Sequence, residues 1–242
     1  MNRGSPYNLA HATAAGVALV AVVFAQGVAA FWRMFLHGLE VPMTPKALLL
    51  NYCFTAALFG TLILILWAST FFSRGSRERA DAAPCCARAS AAWLAARWAP
   101  FLTAIAIGLN FLCAAGIEWL ADIQPSDQEL VKCFSGECPW GIRIVLGALV
   151  ILEAPLLEEP LFRGILFRGL WSAMPHWAAT AISGFLFALV HVNAASFLPL
   201  WFLGCAFAEL YRRTGTILAP MTAHALFNAA NLALLPFLPA TS

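Results

Sequence analysis

Three charged side chains, Glu158, Glu159 and Arg163, crowd six residues of the stretch EAPLLEEPLFRG (153–164), with Glu153 just upstream. The flanking sequences IRIVLGALVIL and ILFRGLW are almost wholly apolar. A charge buried in lipid costs about 2.5–3.5 kcal/mol on insertion scales, so such a cluster needs a use. On a helix, residues i and i+4 share a face, and an acid preceding a base is the favoured order. Glu159 and Arg163 therefore neutralise each other. Glu158, turned about 100° away, is free to face another helix and act as a base. His224 and Asn228 in HALFN stand at the same spacing. Their two hydrogen-bond donors could hold a developing oxyanion. His191 closes FALVH, on the face of Phe187. Glu158 and His191 each lie roughly 24 Å along their helices from the turn near 174–176, with Asn228 about 20 Å and His224 about 14 Å from the turn at 214–215. Glu158, His191, His224 and Asn228 can thus converge in one pocket inside the bilayer. A set of Glu158, His191 and His224 could also bind zinc, which accepts such ligands, although no HExxH spacing is present. The competing reading is structural, with the pair pinning helices. Ionisable groups in membrane spans are functional hypotheses by default. Glu153 reads as structural or accessory, and Glu209 as a partner of Arg212 or Arg213. Pro155 and Pro160 flank the glutamates and would loosen the helix and free carbonyls there.

The elements that must position these groups are membrane helices. Of 242 residues, 62% are hydrophobic and 11% charged, against about 45–50% and 25% in soluble domains. Runs of about 20 apolar residues fall at 9–34, 47–72, 90–121, 141–172, 177–193, 197–212 and 216–237. The expectation is an all-α polytopic bundle of about seven transmembrane helices in a single domain, 1–242. The N-terminal spans (1–125) carry no diagnostic pattern, and 141–238 carry the polar motifs. The apolar run after the N-terminus reads as a first span rather than a cleaved leader. No nucleic-acid patch is visible. Arg74, Arg77, Arg79 and Arg88 place their loop in the cytoplasm, which puts Arg168, Arg212 and Arg213 inside and the 123–140 loop outside. There Cys133 and Cys138 could form a small disulfide loop in an oxidising compartment. Cys53, Cys85, Cys86, Cys113 and Cys205 read as structural, with lipidation open to Cys85 and Cys86.

EEPLFRG resembles the EExxxR motif, FALVH the FxxxH motif and HALFN the HxxxN motif of the CPBP glutamic-type intramembrane proteases, in the family's order. That family includes the CAAX endopeptidases and bacterial members labelled Abi or bacteriocin-processing. The resemblance covers about 150–235. It implies Glu158 as the general base that activates a water and His191 as its helper. It implies His224 and Asn228 as oxyanion donors, and Glu159 and Arg163 as the support that holds the site. It implies no cofactor and no metal. The substrate would be a membrane-anchored protein or peptide, such as one with a C-terminal sorting tail. The location would be a bacterial inner membrane. Two features depart from the family: Pro160 directly follows the glutamates, and the span count is one fewer than in the CAAX endopeptidases. Neither a GxGD aspartyl motif nor a GxSG context for Ser183 is present. The alternative function is a non-proteolytic immunity, scaffold or transport protein that uses the cluster for binding.

Overall fold

The computed structural model describes residues 44–50, 52–53, 60, 85–121, 129–191 and 193–235. The expected first span, most of the second, and the loop with Arg74, Arg77 and Arg79 lie outside these residues. All regular structure among the described residues is helical. The five later apolar segments correspond to α1 (Cys85–Ala121), α2 (Trp140–Ala173), α3 (His176–Val190), α4 (Phe197–Thr214) and α5 (Leu218–Leu234).

Two of these helices are long and apolar enough to cross a membrane, within Ser90–Trp119 and along Trp140–Ala173. Only 11% and 17% of their most apolar windows is buried within the protein. The core helix of a soluble protein would be mostly covered; these present Trp93, Phe101, Leu112, Ile144 and Leu152 outward, as lipid-facing helices do. α3 is apolar but has 15 residues, about 22 Å, short of a hydrocarbon core about 30 Å thick. The inward stripe of α1 is Ala91, Ala95, Ala99, Thr103 and Ala106, all buried. Spaced by three or four residues, these small side chains let α1 pack closely against Leu203 and Phe207 of α4 and Ala219, Ala223 and Phe227 of α5. Thr103 satisfies its hydroxyl on its own helix, donating to the Ala99 carbonyl at 2.8 Å.

α3 and α4 cross glycine on glycine. A Cβ added to Gly204 would lie 2.7 Å from the Gly184 Cα, and one added to Gly184 would lie 2.8 Å from the Cys205 backbone nitrogen. Trp201 Nε1 donates to the Ala181 carbonyl at 3.0 Å across the same seam. Gly215, at φ +66°, ends α4 in the left-handed region and bonds back to the Tyr211 carbonyl. Ahead of α2, Cys133 and Cys138 are joined in a disulfide. Arg143 Nε donates to the Cys138 carbonyl at 2.7 Å, which ties this loop to the first turn of α2.

α2 is not uniform. It widens to π-helical turns at Leu149–Glu153 and Pro160–Phe167. Proline explains the first. Pro155 has no N–H and its ring crowds the carbonyl four residues back. In the wide register the Ala154 N–H bonds to the Leu149 carbonyl. The next donor in that register would be Pro155, so the Val150 carbonyl has no backbone partner. The second wide turn begins at Pro160, directly after the paired glutamates.

Candidate active site

The opposite fates of the two glutamates define the site. Glu159 is fully buried. One of its oxygens, Oε1, accepts from Arg163 at 3.0 Å and from His224 Nδ1 at 2.9 Å. Arg163 is fully buried too. It spends a second nitrogen on the Gly204 carbonyl at 3.1 Å, which the glycine crossing brings within reach. Its guanidinium stands 4.6 Å from the Phe187 ring centre and 5.3 Å from that of Phe207, where a cation is attracted by the ring face. α2, α4 and α5 are thereby locked by one charge-assisted network, with α3 joining through Phe187.

Glu158 points elsewhere and its side chain is 23% exposed. Its Oε2 atom is buried without a hydrogen-bond partner among the described residues. It lies 3.9 Å from His191 Nε2 and 3.9 Å from His224 Nε2. Both imidazoles are oriented by their other nitrogen. His191 Nδ1 is 2.7 Å from the Phe187 carbonyl. A carbonyl only accepts, so Nδ1 carries the proton and Nε2 of the neutral ring offers a lone pair. The Glu159 carboxylate, which only accepts, likewise places a proton on His224 Nδ1. The His224 ring lies stacked on Phe207 at 5.1 Å between centroids, edge-on to Phe187. His191 is the residue after α3, and its side chain is 30% exposed, so the pocket opens on its side.

Asn228 sits one turn beyond His224, and its Nδ2 donates to the Val150 carbonyl at 2.8 Å. This is the carbonyl that Pro155 leaves without a backbone donor. One amide hydrogen of Asn228 is thus committed to α2 and one remains. Glu209 is at the far end of α4, bonded to Arg212 at 2.7 Å and to Arg213 at 2.6 Å, apart from this cluster. Among the described residues no hydrogen bond or ion pair joins Glu153 to the cluster. Among the described residues no group of three His, Cys, Asp or Glu side chains is arranged to hold a metal ion.

Residues 139–230 match the family model described as Type II CAAX prenyl endopeptidase Rce1-like. Over this segment the chain is similar to the Rce1-like CAAX-protease family. The match spans α2 through most of α5, and therefore every residue of the Glu158–Asn228 cluster, while α1 lies outside it. Similarity to a membrane-embedded peptidase family agrees with the two helices long and apolar enough to cross a membrane. No curated protein and no solved structure matches the chain.

Three contributors escaped the sequence reading, Gly204, the Phe207 ring and the Val150 carbonyl, while Phe187 was placed on the His191 face without its role beside Arg163. Two act through backbone oxygens, which carry no residue signature. The rings read as packing. Pro155, five residues after Val150, was the one usable signal, because it marks a carbonyl in need of a donor.

Proposed function

We propose that this Rce1-like chain is an intramembrane glutamic endopeptidase, hydrolysing a peptide bond in a membrane-anchored protein with a water activated by Glu158. The observation that carries this reading is the Glu158 Oε2 atom, 3.9 Å from each of two imidazole Nε2 atoms. Such separations are too long for direct hydrogen bonds. They suit one water about 2.8 Å from each neighbour.

Glu158 takes a proton from that water as the water oxygen bonds to the scissile carbonyl carbon. His191 Nε2 accepts the other water hydrogen and aims the lone pair. The oxyanion receives the remaining amide hydrogen of Asn228 and a hydrogen from His224 Nε2. To donate there His224 must be the imidazolium, a cation that faces the Glu159 carboxylate at 2.9 Å. Glu158 then passes its proton to the leaving nitrogen as the C–N bond breaks, giving a carboxylic acid and an amine. General-base catalysis of this kind contributes about 10²–10⁴-fold, and one oxyanion donor about 10²–10³-fold. No metal takes part. The disulfide end of α2 faces the outside of a bacterial inner membrane, and the preferred substrate is an outer juxtamembrane segment such as a C-terminal sorting tail.

Comparative proteomics of membrane-protein C-termini, in cells with and without this chain, tests the reading. A defined set of proteins should lose a C-terminal tail only when the chain is present, and purified protein should keep its activity in strong chelators. Identical termini in both strains would contradict the proteolytic role. Activity lost with one bound metal and restored by its return would contradict the metal-free mechanism.

A further inference from the structure

The apolar stretch FLTAIAIGLNFLC (101–113) of α1 carries two hydrogen-bonding side chains, Thr103 and Asn110. Thr103 is satisfied within its own helix. Asn110 is exposed, on a helix that faces lipid and about 13 Å before Trp119 at the end of the apolar span. A carboxamide at that depth is costly unless it is used. Its Oδ1 accepts from Ser196 Oγ at 3.1 Å, 86 residues away in sequence. Ser196 lies in the short connection between α3 and α4 that begins at His191. In the same connection Asn193 Oδ1 accepts the Ser196 backbone N–H at 3.1 Å. Both carboxamides are thus engaged through oxygen, and neither NH₂ group donates to a described residue. Asn193 and Ser196 follow His191 by two and five residues in the chain, and the Ser196 bond brings Asn110 to the same connection.

A bond cannot be cut in lipid while its carbonyl is locked in a helix. Unwinding the substrate exposes peptide N–H and C=O groups, each costing several kcal/mol if left without a partner in the bilayer. Partners must therefore stand beside the catalytic groups. A carboxamide offers two donors and an acceptor in the plane of a peptide group.

We infer that Asn110, Asn193 and Ser196 form a strip that hydrogen-bonds the main chain of the unwound substrate next to the scissile bond, with the two NH₂ groups donating to substrate carbonyls. The strip recognises an extended peptide backbone rather than particular side chains. This inference rests on the proteolytic reading for its purpose, but its test reads binding alone.

The probe is a fluorescent single-span peptide, a leucine-rich helix followed by an extended apolar segment, in phosphatidylcholine–phosphatidylglycerol vesicles. A companion series replaces one peptide bond at a time with an E-alkene isostere, which keeps the geometry and removes both hydrogen-bonding groups. Wild-type protein should bind the parent probe and lose about 10-fold in affinity for the isostere at one or two positions, the worth of a hydrogen bond. Asn110→Ala should bind the parent about 10-fold more weakly and lose that positional sensitivity, and Ser196→Ala should weaken it in part. Asn110→Gln, which keeps the carboxamide, should recover part of the affinity. A merely structural crosslink would leave the isostere pattern unchanged in Asn110→Ala. That outcome, a wild-type protein indifferent to every isostere, or no binding of the parent probe overturns the proposal. Cleavage by Glu158→Gln would remove the catalytic reading without touching the strip.

Discussion

Adjacent glutamates have unlike environments here, and their consequences on substitution should be unlike too. Glu159 and Arg163 are both fully buried and bonded at 3.0 Å. Removing one member of such a pair leaves an uncompensated charge and costs about 3–5 kcal/mol. Arg163→Met should therefore lower the unfolding free energy by that order, measured in detergent. The double variant Arg163→Met/Glu159→Gln should recover part of the loss, because no bare charge remains. Additive losses would mean the two side chains do not act as one network. The i, i+4 spacing made this pair legible from sequence. It could not show that His224 shares the same carboxylate oxygen, because that contact spans 65 residues and depends on how α5 lies against α2.

At the scale of elements, the prolines and glycines decide where the functional groups stand. The wide turn of α2 leaves the Val150 carbonyl to Asn228 because Pro155 has no N–H. Pro155→Ala restores a backbone donor that competes for the freed carbonyls. Asn228→Ala should cost about 1 kcal/mol of stability in the wild-type background and distinctly less in Pro155→Ala. A thermal-unfolding double-mutant cycle measures the difference; equal costs would mean that the proline does not create the vacancy Asn228 fills. The α3–α4 seam is equally direct. In Gly204→Ala the new Cβ meets Gly184 backbone at 2.7 Å, which no rotamer change can relieve. The helices must separate, at about 1–3 kcal/mol, and the Gly204 carbonyl must withdraw from Arg163. The expected result is a protein less stable and less active together, whereas full activity at normal stability would show that the crossing is looser than this. The helices were readable to within a few residues from apolar runs alone, as with 141–172 against Trp140–Ala173. The end of the fifth segment was not. α3 stops at Val190 and His191 follows it, because hydrophobic length cannot reveal where a short helix ends inside a bundle.

For the whole molecule, the fold orders a polar pocket among helices whose outer surfaces are apolar. The orientation of that bundle in the bilayer sets which proteins can reach Glu158. By the excess of basic residues the Arg74–Arg79 stretch is expected in the cytoplasm, and the disulfide of Cys133 with Cys138 suits an oxidising exterior. Single cysteines introduced into a background lacking native ones should report this map with an impermeant thiol reagent. Position 136 should label in intact cells and position 77 only after permeabilisation. The reverse pattern would turn the molecule over and move the preferred substrates to the cytoplasmic face. Composition announced a membrane bundle at once. It could not say how many helices close the pocket, since apolar length does not fix which faces meet.

The division of labour between the paired glutamates is the centre of this account, and one comparison tests it most directly. Glu158→Gln and Glu159→Gln are purified in parallel, and each is measured for cleavage of a substrate protein identified by its shortened C-terminus and for thermal stability. Glu158→Gln should unfold within about a degree of wild type, since its half-buried side chain makes no hydrogen bond to a described residue, and should show no turnover. Glu159→Gln should be clearly destabilised, because Arg163 and His224 lose their shared carboxylate. Substantial cleavage by Glu158→Gln would contradict the account.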